Sequence, residues 1–304
     1  MPDRATVAYK AGSAIARALP APVISGLARA AGAAAGQLDA GRRAQVERNL
    51  RRVHGPQLGG LALRRGVAAT FESYARYWAE AFRLPGTSPA DLDATMTYEG
   101  WGYVEDAFAQ GDGLILSLPH LGAWDFGGIW AAQVQRKPVS AVVEALEPPE
   151  VFEWFVGLRQ SMGVNVIALS PTAGTEVVRA LKANHLVCLL SDRDIGGGGI
   201  EVEFFGERTR LPAGPATLAL RTGAPLLPAA VYFSEGDRHH GVVRPPVPTE
   251  RRGRLRDDVA RVTQLLAYEL EALIRVAPEQ WHLMQPNWPS DPGYDGTDDA
   301  APVP

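Results

Sequence analysis

From residue 113 to residue 191, the sequence alternates short apolar runs with segments of helical pattern. The apolar runs are "GLILSL", "VSAVVE", "VNVIAL" and "HLVCLLS", and the segments between them include "EVFEWFVGLRQSMG" and "AGTEVVRALKAN". Strands that are apolar at nearly every position are typical of a parallel sheet that is covered on both faces. The alternation therefore predicts an α/β fold with a mostly parallel central sheet flanked by helices. Further strands are predicted at "IEVEFF", "PLLPAAVYF" and "GVVRPP".

Helical patterns precede this sheet and follow it. Over residues 5–85, "RRAQVERNLRRV" places Val46, Leu50 and Val53 on one stripe, and "ATFESYARYWAEAFRLP" predicts a helix that ends before Pro85. The aromatic residues of the second helix recur at helical spacing, which indicates a core-facing stripe more often than a ligand site. A third helix is predicted at "RDDVARVTQLLAYELEALIRV".

These patterns predict one domain over residues 1–290. We expect N-terminal helices at about 5–85 to form a membrane-facing layer on an α/β core at about 95–290. Residues 291–304, "DPGYDGTDDAAPVP", are rich in Pro, Gly and Asp, and they are predicted to form a disordered tail.

Charge is distributed unevenly along the chain. The net charge of the 304 residues is -4, but residues 1–65 hold eleven Arg and Lys against three acidic residues, so the remainder carries -12. A basic segment attached to an acidic body favours contact with an anionic surface. The segment lacks the aromatic interleaving or recognition fold typical of nucleic-acid binding. We therefore expect an anionic membrane surface as a partner and no nucleic acid, with a solvated helix face as the alternative.

The N-terminal sequence and the single cysteine indicate a compartment. Lys10 and Arg17 interrupt the first apolar stretch, which is not typical of a signal peptide, and no apolar run reaches 18 residues. Cys188 stands alone inside a predicted strand, so we expect a core residue in a reducing compartment and neither a disulfide nor a zinc cluster. These observations predict a peripheral protein on the cytoplasmic face of the cell membrane.

The segment "SLPHLGAWDFGG" places His120 after a predicted strand and Asp125 five residues later. On an ideal helix these positions lie about 140° apart, so the two side chains meet only if His120 precedes the helix and Asp125 begins it. The spacing does not match the i, i+4 histidine pair of a helical metal site. A histidine held by a carboxylate is the usual base for a hydroxyl proton, and a histidine that caps the helix is the alternative.

A second polar cluster follows the predicted strand "HLVCLLS". Asp192, Arg193 and Asp194 come directly after it, and the carboxyl ends of parallel strands are where α/β folds bind ligands. An ion-pair network is the alternative reading. The four glycines at 196–199 open no helix and precede no G-K-[ST], so they do not form a phosphate loop.

The sequence offers no nucleophile for covalent catalysis. It contains no G-x-S-x-G motif, and Cys188 is predicted to be interior. A base without a nucleophile predicts direct transfer between two bound substrates. Glu144, which ends the strand "VSAVVE", and Arg159, in "FVGLRQSMG", are each more often surface charges when considered alone.

Two motifs resemble a known enzyme family. "LPHLGAWD" and the later "SDRDI" and "GIEVEFFGERTRLPAGPATLALRTGAPLLP" are similar to the bacterial lysophospholipid and lipid A-type acyltransferases, which share an H-x4-D/E motif and an F-F-G segment. "VERNLRRV" and "PEQWHLMQPNW" also resemble that family, and the likeness covers roughly residues 40–290. Within the family, "ESYARYWAEAFRLP" is most similar to the phosphatidylinositol mannoside acyltransferases.

The resemblance implies a glycerolipid-acyltransferase-like fold and a direct acyl transfer. An acyl chain would pass from acyl-CoA, a co-substrate, to a sugar hydroxyl of a membrane glycolipid, without a metal or a cofactor. His120 would be the base, Asp125 the carboxylate of the motif, and Asp192 the acidic residue that orients the histidine in the mannoside enzymes. Some relatives carry Glu at that last position, which leaves Asp125 and Asp192 as alternatives for the direct contact.

The same resemblance matches Arg159 and Glu144 to polar positions of the family's substrate groove, and we predict Arg193 and Asp194 to bind substrate beside them. We expect a monomer. Three alternatives remain at this point: an acyltransferase for a lysophospholipid or a lipid A-type precursor, a non-catalytic lipid-binding protein, and a metal-dependent hydrolase.

Overall fold

The structure is a computed structural model that describes residues 12–16, 18–19, 21–144, 148–195 and 197–294. Its strands are β1 (Met96–Glu99), β2 (Leu114–Leu118), β3 (Val139–Val143), β4 (Val164–Ala168), β5 (Leu186–Leu190), β6 (Ile200–Phe204), β7 (Glu207–Leu211), β8 (Leu226–Phe233) and β9 (His239–Val243). Seven of them form one sheet in the order β1–β9–β8–β2–β5–β3–β4. Only the β8–β9 pair in this sheet is antiparallel. The prediction of a mostly parallel central sheet is therefore confirmed.

Helices cover both faces of the sheet. From residue 21 onward they are α1 (Ala21–Leu38), α2 (Ala40–His54), α3 (Gly60–Arg83), α4 (Pro89–Thr95), α5 (Trp101–Gln110), α6 (Trp124–Gln133), α7 (Pro149–Ser161), α8 (Ala173–Lys182), α9 (Gly214–Thr222) and α10 (Leu255–Val276), with short 3-10 turns at Leu84–Gly86 and Pro278–Gln280. No helix among the described residues is both long and apolar enough to cross a bilayer.

Strand β2 contributes side chains to two hydrophobic cores, one on each face of the sheet. Leu114, Leu116 and Leu118 are buried in a cluster with residues of α3, α5 and α6, whereas Ile115 is buried in the opposite cluster with residues of α8, α9 and α10. Because successive side chains of a strand point to opposite faces, a fully buried strand needs apolar residues at every position. This requirement accounts for the near-continuous apolar run in β2.

The strand predicted at "IEVEFF" is confirmed as β6, and the structure adds β1 and β7, which the sequence pattern does not predict. β6 pairs antiparallel with β7 in a two-stranded hairpin that is separate from the central sheet. The hairpin turns at Phe205 and Gly206, whose φ angles are 54° and 75°. Positive φ at both turn residues is typical of a tight hairpin with the right-handed strand twist. The F-F-G segment is thus a hairpin turn.

The segment Trp281–Asp291, here called the C-terminal strap, crosses from the sheet to the N-terminal helices. Asp291 is 4% exposed and accepts hydrogen bonds from Gln45 Nε2 at 2.8 Å and Arg52 Nη2 at 2.7 Å. Burial raises the pKa of this carboxyl, but its backbone and arginine donors outweigh burial and lower it. The packed chain therefore extends past residue 290, and residues 295–304 of the predicted tail lie outside the described residues.

Candidate active site

His120 and Asp192 lie side by side because their strands are neighbours. In the parallel β2–β5 pair, Leu118 is opposite Leu190, and each site residue follows two positions beyond its strand. The His120 Nδ1 and Asp192 Oδ1 atoms are 2.7 Å apart, and the backbone N–H of His120 donates to Asp192 Oδ2 at 3.1 Å. The carboxylate therefore holds both the ring and the backbone of the histidine, and the other ring nitrogen, Nε2, is left for a substrate.

Asp192 is held in turn by the C-terminal strap. Its side chain is fully buried, the indole N–H of Trp281 donates to Oδ2 at 2.7 Å, and Asn287 Nδ2 donates to its backbone carbonyl at 3.1 Å. Burial alone raises the pKa of the Asp192 carboxyl, but the charge and hydrogen bonds of His120 and the indole donor outweigh burial and lower it. The carboxyl is thus an anion at neutral pH.

The turn after His120 depends on Gly122. Its φ is 61°, and a Cβ on it would lie 2.2 Å from the carbonyl oxygen of Val231. The next backbone N–H, of Ala123, donates to that same carbonyl at 2.8 Å, and α6 begins at the following residue. Because only glycine fits this close approach, the turn places His120 before the helix, as its sequence spacing predicts.

Asp125 contacts a different set of partners. Arg159 donates to it from Nε at 3.0 Å and from Nη2 at 2.9 Å, and the Tyr77 hydroxyl donates at 2.7 Å. Burial raises the pKa of Asp125, but the arginine charge and these donors outweigh it, so the pKa lies below its usual value. Of the two carboxylates left open by the sequence, Asp192 makes the direct contact with the His120 ring.

A cavity of about 900 Å³ opens beside His120 at the carboxyl edge of the sheet. Its volume is in the range of pockets that enclose a small-molecule ligand or part of a larger one. His120, Asp125 and Arg159 line it, as do Tyr77 and Trp124, whose rings stack with centroids 4.0 Å apart. The candidate base and the arginine–carboxylate pair therefore face one common space.

One part of this cavity, here called the enclosed arm, descends between α6 and the sheet. Alternate residues of four strands form its floor, among them Leu116, Leu118, Ala141, Cys188, Ala229 and Val231. Both Val139 and Val143 of β3 line the cavity, which gives the arm a length of roughly 13 Å along the strand. Its wall includes Trp130 and Ala131, which are 1% and 2% exposed, so this arm lies inside the protein.

The other part, here called the open arm, lies toward α8 and α9. Its exposed lining residues are Leu169, Ser170, Pro171, Gly174, Gly198 and Gly214. The cavity is thus lined by buried apolar residues in one part and by solvent-exposed residues in another, and His120 is also among its lining residues.

The remaining predicted site residues fall around the same cavity. Glu144, Arg193 and Asp194 line it, but Asp194 is engaged by the backbone N–H of Gly199, which donates to it at 2.7 Å. Glu144 and Arg193 have no hydrogen-bond or ion-pair partner within the described part of the chain. The rings of Trp78 and Trp130 also line this cavity.

Cys188 packs against the buried cluster of β2, α5 and α6, as predicted for a core residue, and it also lines the enclosed arm. Burial raises the pKa of its thiol to about 12, and the nearby Asp125 charge acts in the same direction. The thiol is therefore protonated at neutral pH and is not a nucleophile.

Sequence reasoning missed His282 and Trp281, which lie in the C-terminal strap. The backbone N–H of His282 donates to the His120 carbonyl at 2.7 Å, and its Nε2 is 2.8 Å from Ser73 Oγ. Burial lowers the pKa of His282 to about 3, so its ring is neutral. The segment "QWHLMQPNW" could have indicated these residues, because it mixes aromatic and polar side chains without the period of a helix or a strand.

Comparison with known proteins assigns the family. The model of bacterial lipid A biosynthesis acyltransferases matches residues 1–290. The chain belongs to this family. It is also 37% identical over 288 residues to a phosphatidylinositol mannoside acyltransferase of Mycolicibacterium smegmatis, a match that covers 93% of this chain and 91% of that protein. The protein of the same name from Mycobacterium tuberculosis is 39% identical over 230 residues, which is 74% of this chain and 71% of that protein. The chain is therefore an O-acyltransferase that uses an acyl donor and a lipid acceptor.

Proposed function

We propose that this acyltransferase moves a long, palmitoyl-like acyl chain from acyl-CoA to a mannose hydroxyl of a phosphatidylinositol mannoside. The observation that carries the proposal is the His120–Asp192 pair beside a cavity that has an enclosed apolar arm and an open arm. One arm fits an acyl chain, and the other leaves room for a polar headgroup. The similarity to two mycobacterial enzymes of this name supports the choice of acceptor.

The proposed reaction is a single direct transfer. Asp192 accepts the Nδ1–H of His120, so Nε2 carries the lone pair that takes the hydroxyl proton. The mannose oxygen attacks the thioester carbonyl and forms a tetrahedral intermediate. When the C–S bond breaks, the CoA thiolate takes the proton from the imidazolium, which regenerates neutral His120. The products are the ester and CoA, and no acyl group is attached to the enzyme.

Charge in the cavity favours Arg193 as a contact for the negative groups of the substrates. The Nε and Nη2 donors of Arg159 are already used by Asp125. Arg193 follows Asp192 directly, lines the cavity and has no ion-pair partner in the described ranges. Desolvated donors aimed at developing negative charge are usually the largest contribution to catalysis of acyl transfer. We propose Glu144, which also lines the cavity and has no partner in the described ranges, as a hydrogen-bond acceptor for sugar hydroxyls.

The N-terminal helices supply the proposed membrane contact. Val23 and Leu27 of α1 lie on one helix face and are 47% and 54% exposed, and Ile15 is 55% exposed. The basic residues Arg42 and Arg43 follow at the start of α2. An exposed apolar face next to cations is typical of a helix that lies on an anionic bilayer. We place this contact at the cytoplasmic face of the cell membrane.

The proposed function is tested by offering one labelled donor to competing acceptors. The full chain is incubated with labelled palmitoyl-CoA and anionic vesicles that contain phosphatidylinositol mono- and dimannosides together with a lysophospholipid. Mass spectrometry then identifies the labelled lipid. We expect a mannoside that carries one additional acyl chain on a mannose, with release of one CoA for each ester formed.

If the labelled product is an acylated lysophospholipid and no acylated mannoside forms, the proposed acceptor is wrong and the acyltransferase chemistry still holds. If the thioester is consumed with none of the acceptors, both the proposed acceptor and the acyltransferase chemistry are contradicted. A parallel reaction with a metal chelator tests the metal-dependent alternative. Loss of acyl transfer in the presence of the chelator would contradict the metal-free reaction.

Trp281 is expected to act on the rate through Asp192, as a positioning residue. In Trp281→Phe the indole N–H is lost while most of the ring packing is retained. A hydrogen bond to a charged group contributes about 1.5–3 kcal/mol, so we expect kcat/KM to fall about tenfold or more. Since this donor lowers the pKa of Asp192, its loss should also move the acidic limb of the kcat/KM profile to higher pH.

Trp288→Phe is the matched control. Trp288 is equally buried in the same strap, but its indole donates to the Phe204 carbonyl at 3.2 Å and not to the His120–Asp192 pair. We expect the pH profile of this variant to match that of the unmodified enzyme. Identical pH profiles for the two variants would show that Trp281 contributes packing alone and does not act through Asp192.

A further inference from the structure

Helix α6 carries two successive glycines, Gly127 and Gly128, and only the first has a packing reason. A Cβ on Gly127 would lie 2.5 Å from Val231 Cγ2, so a side chain there would push the helix away from β8. A Cβ on Gly128 would meet nothing within 4 Å, and its φ is not in the left-handed region. Glycine is among the least favourable residues in a helix interior. Packing and backbone geometry therefore do not account for Gly128.

Gly128 faces the cavity. It lines the same space as Trp124, one helical turn earlier, and Ala131, about one turn later. Trp124 contacts His120, with ring centroids 5.7 Å apart, and Ala131 lies in the buried wall of the enclosed arm. Gly128 thus lies between the base and the deep end of that arm, and its missing side chain leaves the passage open.

The enclosed arm fits an acyl chain better than the open arm does. Its walls are buried apolar residues, and each methylene that leaves water for such surroundings contributes a nearly constant free energy. The open arm exposes its lining residues, Gly174 among them, and would leave a chain in contact with water. The floor of the enclosed arm also includes the small residues Ala141 and Ala229, which widen it along its length.

We infer that Gly128 sets the length of acyl chain that this enzyme accepts. The inference rests on the proposed acyl-CoA donor. A side chain at position 128 projects into the enclosed arm, where it obstructs a long chain and leaves the space next to His120 unchanged. Long donors lose the buried contacts of their distal methylenes, and short donors keep all of theirs.

The test compares a long and a short donor in graded variants. We expect Gly128→Leu to lower the ratio of kcat/KM for palmitoyl-CoA to that for butyryl-CoA, whose chain ends before Gly128, by about tenfold or more, with a smaller decrease in Gly128→Ala. Gly174→Leu is the matched control, because a Cβ at Gly174 also meets nothing within 4 Å but projects into the open arm. We expect its ratio to stay unchanged whatever its absolute rate.

A binding measurement separates this inference from the proposed function. Calorimetric titration with the non-hydrolysable S-hexadecyl and S-butyl thioethers of CoA measures the same preference without turnover. Absence of turnover in the unmodified enzyme would contradict the proposed function, while the affinity ratio would still decide the role of Gly128. The inference would be overturned if folded Gly128→Leu kept the long-to-short donor ratio of the unmodified enzyme. It would also be overturned if Gly174→Leu shifted that ratio equally.

Discussion

Replacing His120 by asparagine is expected to reduce acyl transfer by about 10²–10⁴-fold, the usual contribution of a general base. Asparagine retains an N–H donor near the position of Nδ1, so the buried Asp192 carboxylate keeps a partner. It has no atom at the position of Nε2, and therefore nothing takes the proton from the acceptor hydroxyl. Initial rates of CoA release with a saturating acceptor measure the loss.

His120→Ala makes the same test with a larger perturbation, because it removes the Asp192 partner as well. We expect both variants to fold, since Asp192 keeps the Trp281 indole donor and the His120 side chain is 25% exposed. Far-ultraviolet circular dichroism checks the fold. His54→Ala, at an exposed position at the end of α2, is the control and should transfer at the unmodified rate. Unchanged turnover in His120→Asn would contradict the assignment of the base.

Arg159→Met is expected to lower the free energy of unfolding by about 3 kcal/mol. The Arg159 and Asp125 side chains are 15% and 19% exposed, so the substitution leaves a mostly buried carboxylate with the Tyr77 hydroxyl as its remaining donor. Urea unfolding followed by circular dichroism measures the change. Adding Asp125→Asn to the same variant removes the unpaired charge, and we expect it to recover part of the loss.

The pH dependence of that loss has a defined sign. Burial raises the pKa of Asp125, but Arg159 and Tyr77 lower it further, so its folded-state pKa lies below the unfolded value. A carboxyl of this kind contributes its full stability above the unfolded pKa, about 4, and loses it as the pH falls through the folded-state pKa. The stability difference between the unmodified protein and Arg159→Met should therefore be largest near pH 7 and should narrow below about pH 4.

Arg208→Met is the control for this pair. Its ion pair with Glu201 has the same chemistry, but the side chains are 82% and 63% exposed, and exposed pairs contribute little. An equal loss in both variants, or a loss for Arg159→Met that stays constant down to pH 3, would contradict the buried-pair account.

The sheet and one half of the candidate site could be predicted because they depend on local pattern. Continuous apolar runs identify buried parallel strands, and the polar residues that follow two of them, His120 and Asp192, must lie at the same edge. The sequence pattern does not specify the order of the strands within the sheet. Placing β2 next to β5 is a tertiary choice, and it decides that Asp192, and not Asp125, contacts the His120 ring.

The rest of the site depends on packing that has no periodic signature. Trp281 and His282 belong to an irregular strap, and their side-chain partners Asp192 and Ser73 lie 89 and 209 positions away. The F-F-G segment shows the same limit. Its turn depends on the pairing of β6 with β7, and Phe204 beside the turn stacks on Trp288 of the strap, with ring centroids 5.7 Å apart. Motif similarity indicated that these residues matter, but not what they contact.

The C-terminal strap has a consequence for the order in which activity arises. The groups around the Asp192 carboxylate come from positions 120, 192 and 281, so the last donor is synthesised about ninety residues after the carboxylate. The last strand of the sheet, β9, ends at Val243, which is 38 residues before Trp281. A chain still emerging from the ribosome would therefore have its sheet before it has an aligned base. The enzyme would thus become competent only after its last segment has docked.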